Sequence, residues 1–153
     1  LVYGPGVKGN FRTLLRVSAS GLPLPLKGAA NRRSLIAVEN LSEAICRSIA
    51  EIDTTSTFFV SDGAPVSTPE LIAMLRRAMG LSPRLFRLPG PVMRALKVIP
   101  PSAAALSKLT GSLEVDCRRW QQAMGAGLAI GQTEALQATA QWHLETRPGG
   151  RHR

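Results

Sequence analysis

Two adjacent arginines stand at the start of an apolar run, and their position points to phosphate chemistry. Arg32 and Arg33, followed by Ser34, precede the apolar residues 35–38, which lead directly into an amphipathic pattern. A guanidinium group presents a planar fork of N–H donors that fits two phosphate oxygens. Because the run behind the pair can anchor it in a core, the sequence predicts an arginine held over a bound phosphate.

Other residues that carry chemistry are few and scattered. The single tyrosine, Tyr3, stands five residues before Lys8 in a turn-rich segment, so the two share no helical face. The only histidines are His143 and His152, and they do not make a metal site. Gly4, Gly6 and Gly9 have the Gly-x-Gly-x-x-Gly spacing after a predicted strand end, but we do not expect this turn to cradle a phosphate. We therefore expect no catalytic residue and no metal ligand in this chain.

Short strands and amphipathic helices must position these groups. Apolar residues alternate with prolines over 22–26, which is typical of an edge strand because proline cannot donate to a ladder. Residues 57–60 give the clearest strand prediction, since aromatic and β-branched side chains favour sheet. Further extended segments are predicted at 1–8, where a strand end meets a Gly-Pro-Gly turn, and at 34–38, 84–89 and 113–115. These strands are too few to form their own sheet.

The sequence patterns that predict helices are stronger than those that predict strands. Asn10 is predicted to cap a helix over 10–18, and Ser67 with Glu70 forms a capping box for a helix that ends near Gly80. The helix over 39–52 is expected to bury its apolar face, which consists of Leu41, Ala44, Ile45, Ile49 and Ile52. Further helices are predicted over 91–98, 102–108 and 116–124, and in a last segment ending at 145 that buries Ala135, Leu136, Thr139 and Trp142.

Composition indicates one globular domain. The chain has 153 residues, of which 44% are hydrophobic and 19% charged. It shows no signal-peptide pattern and no apolar run near the roughly 20 residues that span a bilayer. Cys46 and Cys117 lie far apart, so we expect reduced cysteines in a cytoplasmic protein. The sequence opens on a strand end, and we expect it to be the later part of a longer protein.

The formal net charge of +9 suggests an anionic partner. Nucleic-acid binding favours basic residues interleaved with aromatics, but aromatic residues make up only 5% of the chain. A membrane surface favours a helix with a basic face, and residues 91–97 offer only Arg94 and Lys97. A phosphorylated small molecule needs one or two well-placed arginines. Charge alone does not separate these partners from a solvated surface.

Several motifs in a fixed order carry a family resemblance: VYGPG at 2–6, GNF at 9–11, GLPL at 21–24, RSLIAVENL at 33–41, and GSL at 111–113 with the Trp142 helix. Together they resemble the C-terminal half of extended short-chain dehydrogenase/reductases, the NAD-dependent nucleotide-sugar epimerases and dehydratases. Within that family the sequence is similar to bacterial UDP-glucose 4-epimerase-like and UDP-sugar 4-keto reductase enzymes.

The resemblance implies an α/β fold. It is the C-terminal part of a Rossmann-like fold, rich in helix with a few short strands, and the Rossmann core is largely missing. Residues 1–153 form the substrate-binding region. Within it, 1–8 and about 56–61 belong to or abut the Rossmann sheet, and 147–153 are a disordered tail.

The resemblance also implies a site. Val2 and Tyr3 match a loop near the nicotinamide of NAD, and Arg33 matches an arginine that contacts the UDP pyrophosphate. The other implied substrate-binding residues are Asn10 at the nucleotide sugar and Pro25, Leu26 and Lys27 along the uracil. The expected partner is a UDP-sugar or another nucleotide sugar, with neither nucleic acid nor membrane, and the full-length enzyme is a candidate homodimer.

The sequence also departs from the family pattern. Asn40 stands where Asp is usual, Ala126 stands where a Trp is often found, and residues 109–113 lack a second phosphate-binding arginine. The first two departures imply different packing in this part of the fold, and the missing arginine favours a related subgroup over a typical UDP-galactose epimerase.

The family's glycine-rich NAD fingerprint and its Tyr-x-x-x-Lys pair precede the point where this sequence begins. We therefore expect a nucleotide-sugar-binding part that is inactive on its own. The alternatives are a non-catalytic binding or oligomerisation module and a basic nucleic-acid binder.

Overall fold

Five helices and two short strands make up the described part of the chain. The computed structural model describes residues 1–51, 56–87, 89, 91, 111–125 and 127–147. In chain order the elements are β1 (Val2–Tyr3), α1 (Gly9–Ala19), β2 (Ile36–Ala37), α2 (Val38–Glu51), α3 (Thr68–Ala78), α4 (Arg118–Met124) and α5 (Gln132–Glu145).

The two strands pair in parallel, with Val2 opposite Ile36 and Tyr3 opposite Ala37. The amide of Ile36 donates to the carbonyl of Leu1 at 3.0 Å. After β1 the chain turns at Gly4, whose φ is +153° and where an added Cβ would lie 2.6 Å from Cγ1 of Val38. Only glycine fits this approach, which brings the end of β1 against the start of α2.

The remaining predicted strands are reduced or absent. Residues 22–26 and 84–89 contribute one parallel bridge, between Leu24 and Leu85, and 113–115 contributes one between Leu113 and Arg33. The strand predicted at 57–60 is wrong, since residues 56–60 are irregular. A strand needs a partner for its backbone groups, and 57–60 pairs with no strand among the described residues. The strand predicted over 34–38 shortens to β2, because α2 already begins at Val38.

Helix ends match the sequence in one case and differ in another. At α3, the Ser67 hydroxyl accepts from the amide of Glu70 and the Glu70 carboxylate accepts from the amide of Ser67, so the capping box is confirmed. At α1, the prediction that Asn10 is the cap is wrong. Lys8 occupies the N-cap without a side-chain bond, and Asn10 is the second residue of the helix.

The main core lies between α1, α3, α5 and the two strands. Its most buried residues include Tyr3, Leu15, Leu35, Ile72, Leu75, Leu136 and Ala140. The rings of Tyr3 and Phe11 stack with centroids 5.4 Å apart. Ala135, Leu136 and Thr139 are buried as predicted, whereas Trp142 is only half-buried against this cluster. We call this cluster the closed core.

The apolar face of α2 is not buried as the sequence predicts. Ala44 is buried with Trp120 and Met124, but Ile45 is 52% and Ile49 is 79% exposed. Ile52 lies outside the described residues. The same face borders a groove of about 330 Å³ lined by residues that include Leu41, Ile45, Ile49, Phe58 and Trp120. We call four of these residues, Leu41, Ile45, Ile49 and Phe58, the open face, and Trp120 is not counted with them because it is buried.

Some predictions fall on parts of the chain that are not described. These are most of the helices over 91–98 and 102–108, the tail after 147, and Ala126. Cys46 is exposed and Cys117 half-buried, and both are free thiols. None of the helices in the described ranges is long and apolar enough to cross a bilayer.

Candidate functional site

Backbone hydrogen bonds hold the arginine pair between two distant segments. The amide of Arg33 donates to the carbonyl of Val66 at 2.9 Å, and the amide of Val66 donates back at 3.0 Å. On the other side, the amide of Leu113 donates to Arg32 at 2.8 Å and that of Ser34 to Leu113 at 2.9 Å. We call residues 32–34, which bond to Val66 on one side and to Leu113 on the other, the crossing. These bonds fix the backbone that carries both arginine side chains.

The Arg33 side chain is oriented by the carbonyl of Gly111. Its Nε donates to that oxygen at 2.9 Å, and Nδ2 of Asn31 donates to the same oxygen at 3.2 Å. Asn31 is itself buried, and its Oδ1 accepts from the amide of Thr68 at 3.1 Å. A fixed acceptor at Nε restricts the guanidinium plane, which favours a bidentate contact with an anion.

The neighbouring Arg32 is held differently. Its Nε forms an ion pair with Oε1 of Glu114 at 2.9 Å, with the two side chains 57% and 46% exposed. Exposed pairs of this kind contribute little to stability. Arg33 is half-buried, so of the two arginines it is the one built into the fold.

The strand β1 lies directly beside this crossing. The amino group of Leu1 donates to the carbonyl of Ser34 at 3.1 Å. The structure therefore brings the predicted cofactor-side residues and the predicted phosphate-binding residue into one neighbourhood.

The two predicted cofactor residues differ in accessibility. Val2 is 45% exposed, whereas Tyr3 is only 1% exposed. The Tyr3 hydroxyl donates to the carbonyl of Gln132 at 3.3 Å, and burial followed by a hydrogen bond to Asp62 raises its pKa. A protonated, buried tyrosine is suited to packing, so the Tyr3 side chain is not placed to transfer a proton.

The segment predicted to flank a uracil is paired with residues 84–87. The amide of Lys27 donates to the carbonyl of Phe86 at 3.0 Å. The Leu26 side chain is buried in the closed core, Pro25 is half-buried, and Lys27 is exposed. Leu26 can therefore offer a ligand only its backbone. Asn10 lies exposed near the start of α1.

A polar network centred on Asp62 was not predicted from the sequence. The Asp62 carboxylate accepts from the amide of Ala37 at 2.7 Å and from Nδ2 of Asn40 at 2.9 Å. The amide group of Asn40 also pairs with both backbone groups of Ile130, donating at 2.8 Å and accepting at 3.1 Å. This explains Asn at position 40, because an aspartate there would face a second carboxylate.

Two other residues that orient Arg33 were not predicted as site residues. Asn31 and Gly111 stand in segments recognised only as a turn and as part of a family motif. Their bonds connect positions about 80 residues apart in the sequence, and no local pattern marks such a contact. Within the described ranges, no three His, Cys, Asp or Glu side chains gather as a metal site.

Known proteins of similar sequence and fold include nucleotide-sugar enzymes. Over 149 residues the chain is 34% identical to the UDP-glucose 4-epimerase of Vibrio cholerae, a match that covers 95% of this chain and 45% of that protein. The chain thus spans less than half the length of this relative. No protein-family model matches the sequence.

Solved structures show the same fold. MoeE5, in complex with UDP-glucose and NAD, matches 95% of this chain and 45% of its own with a TM-score of 0.63 and 22% identity. The Bordetella bronchiseptica enzyme WbmH, in complex with NAD⁺, matches 98% of this chain and 44% of its own with a TM-score of 0.60 and 20% identity. The predicted resemblance to NAD-dependent epimerases of the Rossmann type is confirmed.

Proposed function

We propose that this chain forms the nucleotide-sugar-binding part of an NAD-dependent sugar epimerase or reductase. In this proposal Arg33 binds the diphosphate of a UDP-sugar, and residues 25–27 lie along the uracil. Asn10 contacts the nucleotide sugar, while Val2 and Tyr3 border the nicotinamide, Tyr3 through its backbone. The similarity to a UDP-glucose 4-epimerase and to a structure that holds UDP-glucose and NAD supports this assignment.

The observation that carries the proposal is the way Arg33 is held. Arg33 is half-buried and its Nε donates to the Gly111 carbonyl, whereas Arg32 is exposed and pairs with Glu114. A preorganised guanidinium loses less rotamer freedom when it binds an anion. A diphosphate offers the pair of adjacent oxygens that such a group recognises.

The test is a titration of this chain with UDP, followed by calorimetry and by thermal melting. UDP at about a hundred times its dissociation constant adds roughly 2.7 kcal/mol to the free energy of unfolding. Arg33→Ala should weaken UDP binding by about 1.5–3 kcal/mol, the range for hydrogen bonds to charged groups.

Arg32→Ala is the matched control, because it removes the adjacent guanidinium and only an exposed ion pair. It should leave UDP affinity within about 0.5 kcal/mol of the unmodified chain. Equal losses in both variants would indicate general charge attraction, and unchanged affinity in Arg33→Ala would remove Arg33 from the site.

We assign the NAD-dependent step to residues outside this sequence. Tyr3 is only 1% exposed, so the described residues offer no accessible tyrosine for proton transfer. NAD at millimolar concentration should therefore leave the melting temperature of this chain unchanged, and the chain should show no epimerase activity on its own. A melting shift with NAD, or turnover of a UDP-sugar, would contradict this division.

A non-catalytic binding or oligomerisation module is the second candidate function, and the open face favours it. Exposed apolar patches on folded proteins often mark interaction surfaces. If the chain self-associates through this face, Ile49→Ser should shift its sedimentation towards the monomer without affecting UDP binding.

A further inference from the structure

Arg76 is a buried cation that contacts only backbone oxygens. Its side chain is 0% exposed. Nε donates to the carbonyl of Ser18 at 3.2 Å, and a terminal nitrogen donates to the carbonyl of Leu22 at 2.6 Å. The other terminal nitrogen donates to the carbonyl of Pro83. One guanidinium therefore joins the end of α1 to two further segments.

This arrangement is unusual for a buried charge. None of the ion pairs in the described part of the chain includes Arg76. Burial lowers its pKa and the nearby Arg84 lowers it further, yet a guanidinium stays protonated at neutral pH. Burying a cation without a carboxylate is costly, so the three carbonyl contacts have to be well formed.

The two segments that Arg76 joins are the two that pair next to the proposed uracil contacts. Beyond Leu22, the amide of Leu24 donates to Arg84 at 3.0 Å, and the amide of Phe86 donates to Leu24 at 3.0 Å. The amide of Lys27 then donates to Phe86. Arg76 therefore binds residues 22 and 83, directly before the point where the two segments begin to pair.

We propose that Arg76 is a positioning residue for the nucleotide: it sets the pairing of residues 22–27 with 83–86, and thereby places Pro25, Leu26 and Lys27 against the base. It touches no ligand itself. The inference rests on the proposed function for its ligand, but the backbone effect stands on the contacts alone. Only a planar fork reaches three carbonyls in three directions, so lysine is not an equivalent residue here.

The test compares Arg76→Lys and Arg76→Met with Leu136→Val, which weakens the closed core on α5 but removes none of the three Arg76 hydrogen bonds. Amide hydrogen exchange is followed at Leu24, Lys27 and Phe86, with Arg33 and Val66 as reference amides. UDP affinity is measured in parallel by calorimetry. Arg76→Lys keeps the positive charge and most of the aliphatic side chain. It therefore allows the test even if Arg76→Met does not fold.

Arg76→Lys should raise exchange at Leu24, Lys27 and Phe86 about tenfold or more relative to the reference amides, since local opening follows the loss of local contacts. UDP affinity should fall by a similar factor. Leu136→Val should leave both the exchange ratio and UDP affinity unchanged.

Two results would overturn the proposal, and a third would reject only its ligand. An unchanged exchange ratio in both Arg76 variants would show that Arg76 does not set this pairing. Faster exchange with unchanged UDP affinity would reduce Arg76 to a stabilising residue. If the unmodified chain does not bind UDP, the proposed ligand fails, and the exchange ratio still shows whether Arg76 holds the pairing.

Discussion

The closed core and the open face are built from similar side chains but differ in what covers them. Leu136 in the closed core is 1% exposed, and Ile49 on the open face is 79% exposed. Helix α3 contacts α1 and α5 extensively, whereas α2 contacts α4 and the short strands. Apolar periodicity therefore shows which face of a helix can be buried, and the neighbouring elements decide whether it is.

The largest expected effect comes from truncating the same kind of side chain in each region. Leu136→Ala should lower the free energy of unfolding by about 2–5 kcal/mol, because it leaves a cavity in a packed core. Ile49→Ala should change it by less than about 0.5 kcal/mol, because the side chain is already in water and alanine favours helix. Urea unfolding followed by circular dichroism measures both. A large cost for Ile49→Ala would mean that the open face is covered in solution.

The next effect concerns the junction between the regions, where Asn40 of α2 bonds to Asp62 and to Ile130 just before α5. Asn40→Asp should cost about 1–3 kcal/mol at pH 7, since it removes the buried donor and sets two carboxylates side by side. The cost should shrink at pH 4, because a proton on the introduced carboxyl relieves the repulsion and restores a donor. Ser42→Asp on the exposed side of α2 is the control. An equal cost at both pH values would show that charge repulsion is not the cause.

The smallest expected effect is a change of stability with pH caused by His143, which lies on α5. His143 is 6% exposed and its Nε2 is buried without a hydrogen-bond partner. Burial lowers the pKa of His143, and Arg147, Arg16 and Arg12 lower it further. The folded state therefore binds the proton less well than the unfolded chain. Its contribution to stability is complete above about pH 6.5 and is lost as the pH falls below that value.

Measurements between pH 7 and pH 5 should show stability falling by at most about 1.4 kcal/mol per pH unit for this one proton. His143→Gln should flatten that slope while His152 remains in place. The lowered pKa values of Glu70 and Asp116 act only at more acidic pH. An unchanged slope in His143→Gln would assign the effect to other groups.

Local signals explain what the sequence predicted correctly. The capping box at Ser67 and the helix it starts depend on residues three positions apart. The Asn10 cap failed because Gly9, with φ of +62°, already lies in the helix that the extended Lys8 precedes. Here backbone conformation outweighed the usual cap preference for asparagine.

Long-range contacts explain what could not be predicted. Arg33 was found through a family resemblance, whereas its orienting groups Gly111 and Asn31 were not assigned a role. The bond from Arg33 to Gly111 spans 78 positions in the sequence. The exposure of Ile45 and Ile49 has the same origin, since periodicity within one helix carries no information about which neighbours the fold supplies.

The hydrogen bonds at residues 32–34 also predict what happens if the backbone is cut between residues 86 and 111. Residues 111–115 are held there by the bonds of Leu113 to Arg32 and Ser34 and by that of Val115 to the Ser34 hydroxyl. Upstream, residues 84–86 are held by their own pairing with Leu24 and Lys27. The segments before and after the stretch between residues 86 and 111 are therefore both hydrogen-bonded to residues 24–34. A single peptide-bond cleavage between them would leave two fragments that stay associated and migrate together until a denaturant separates them.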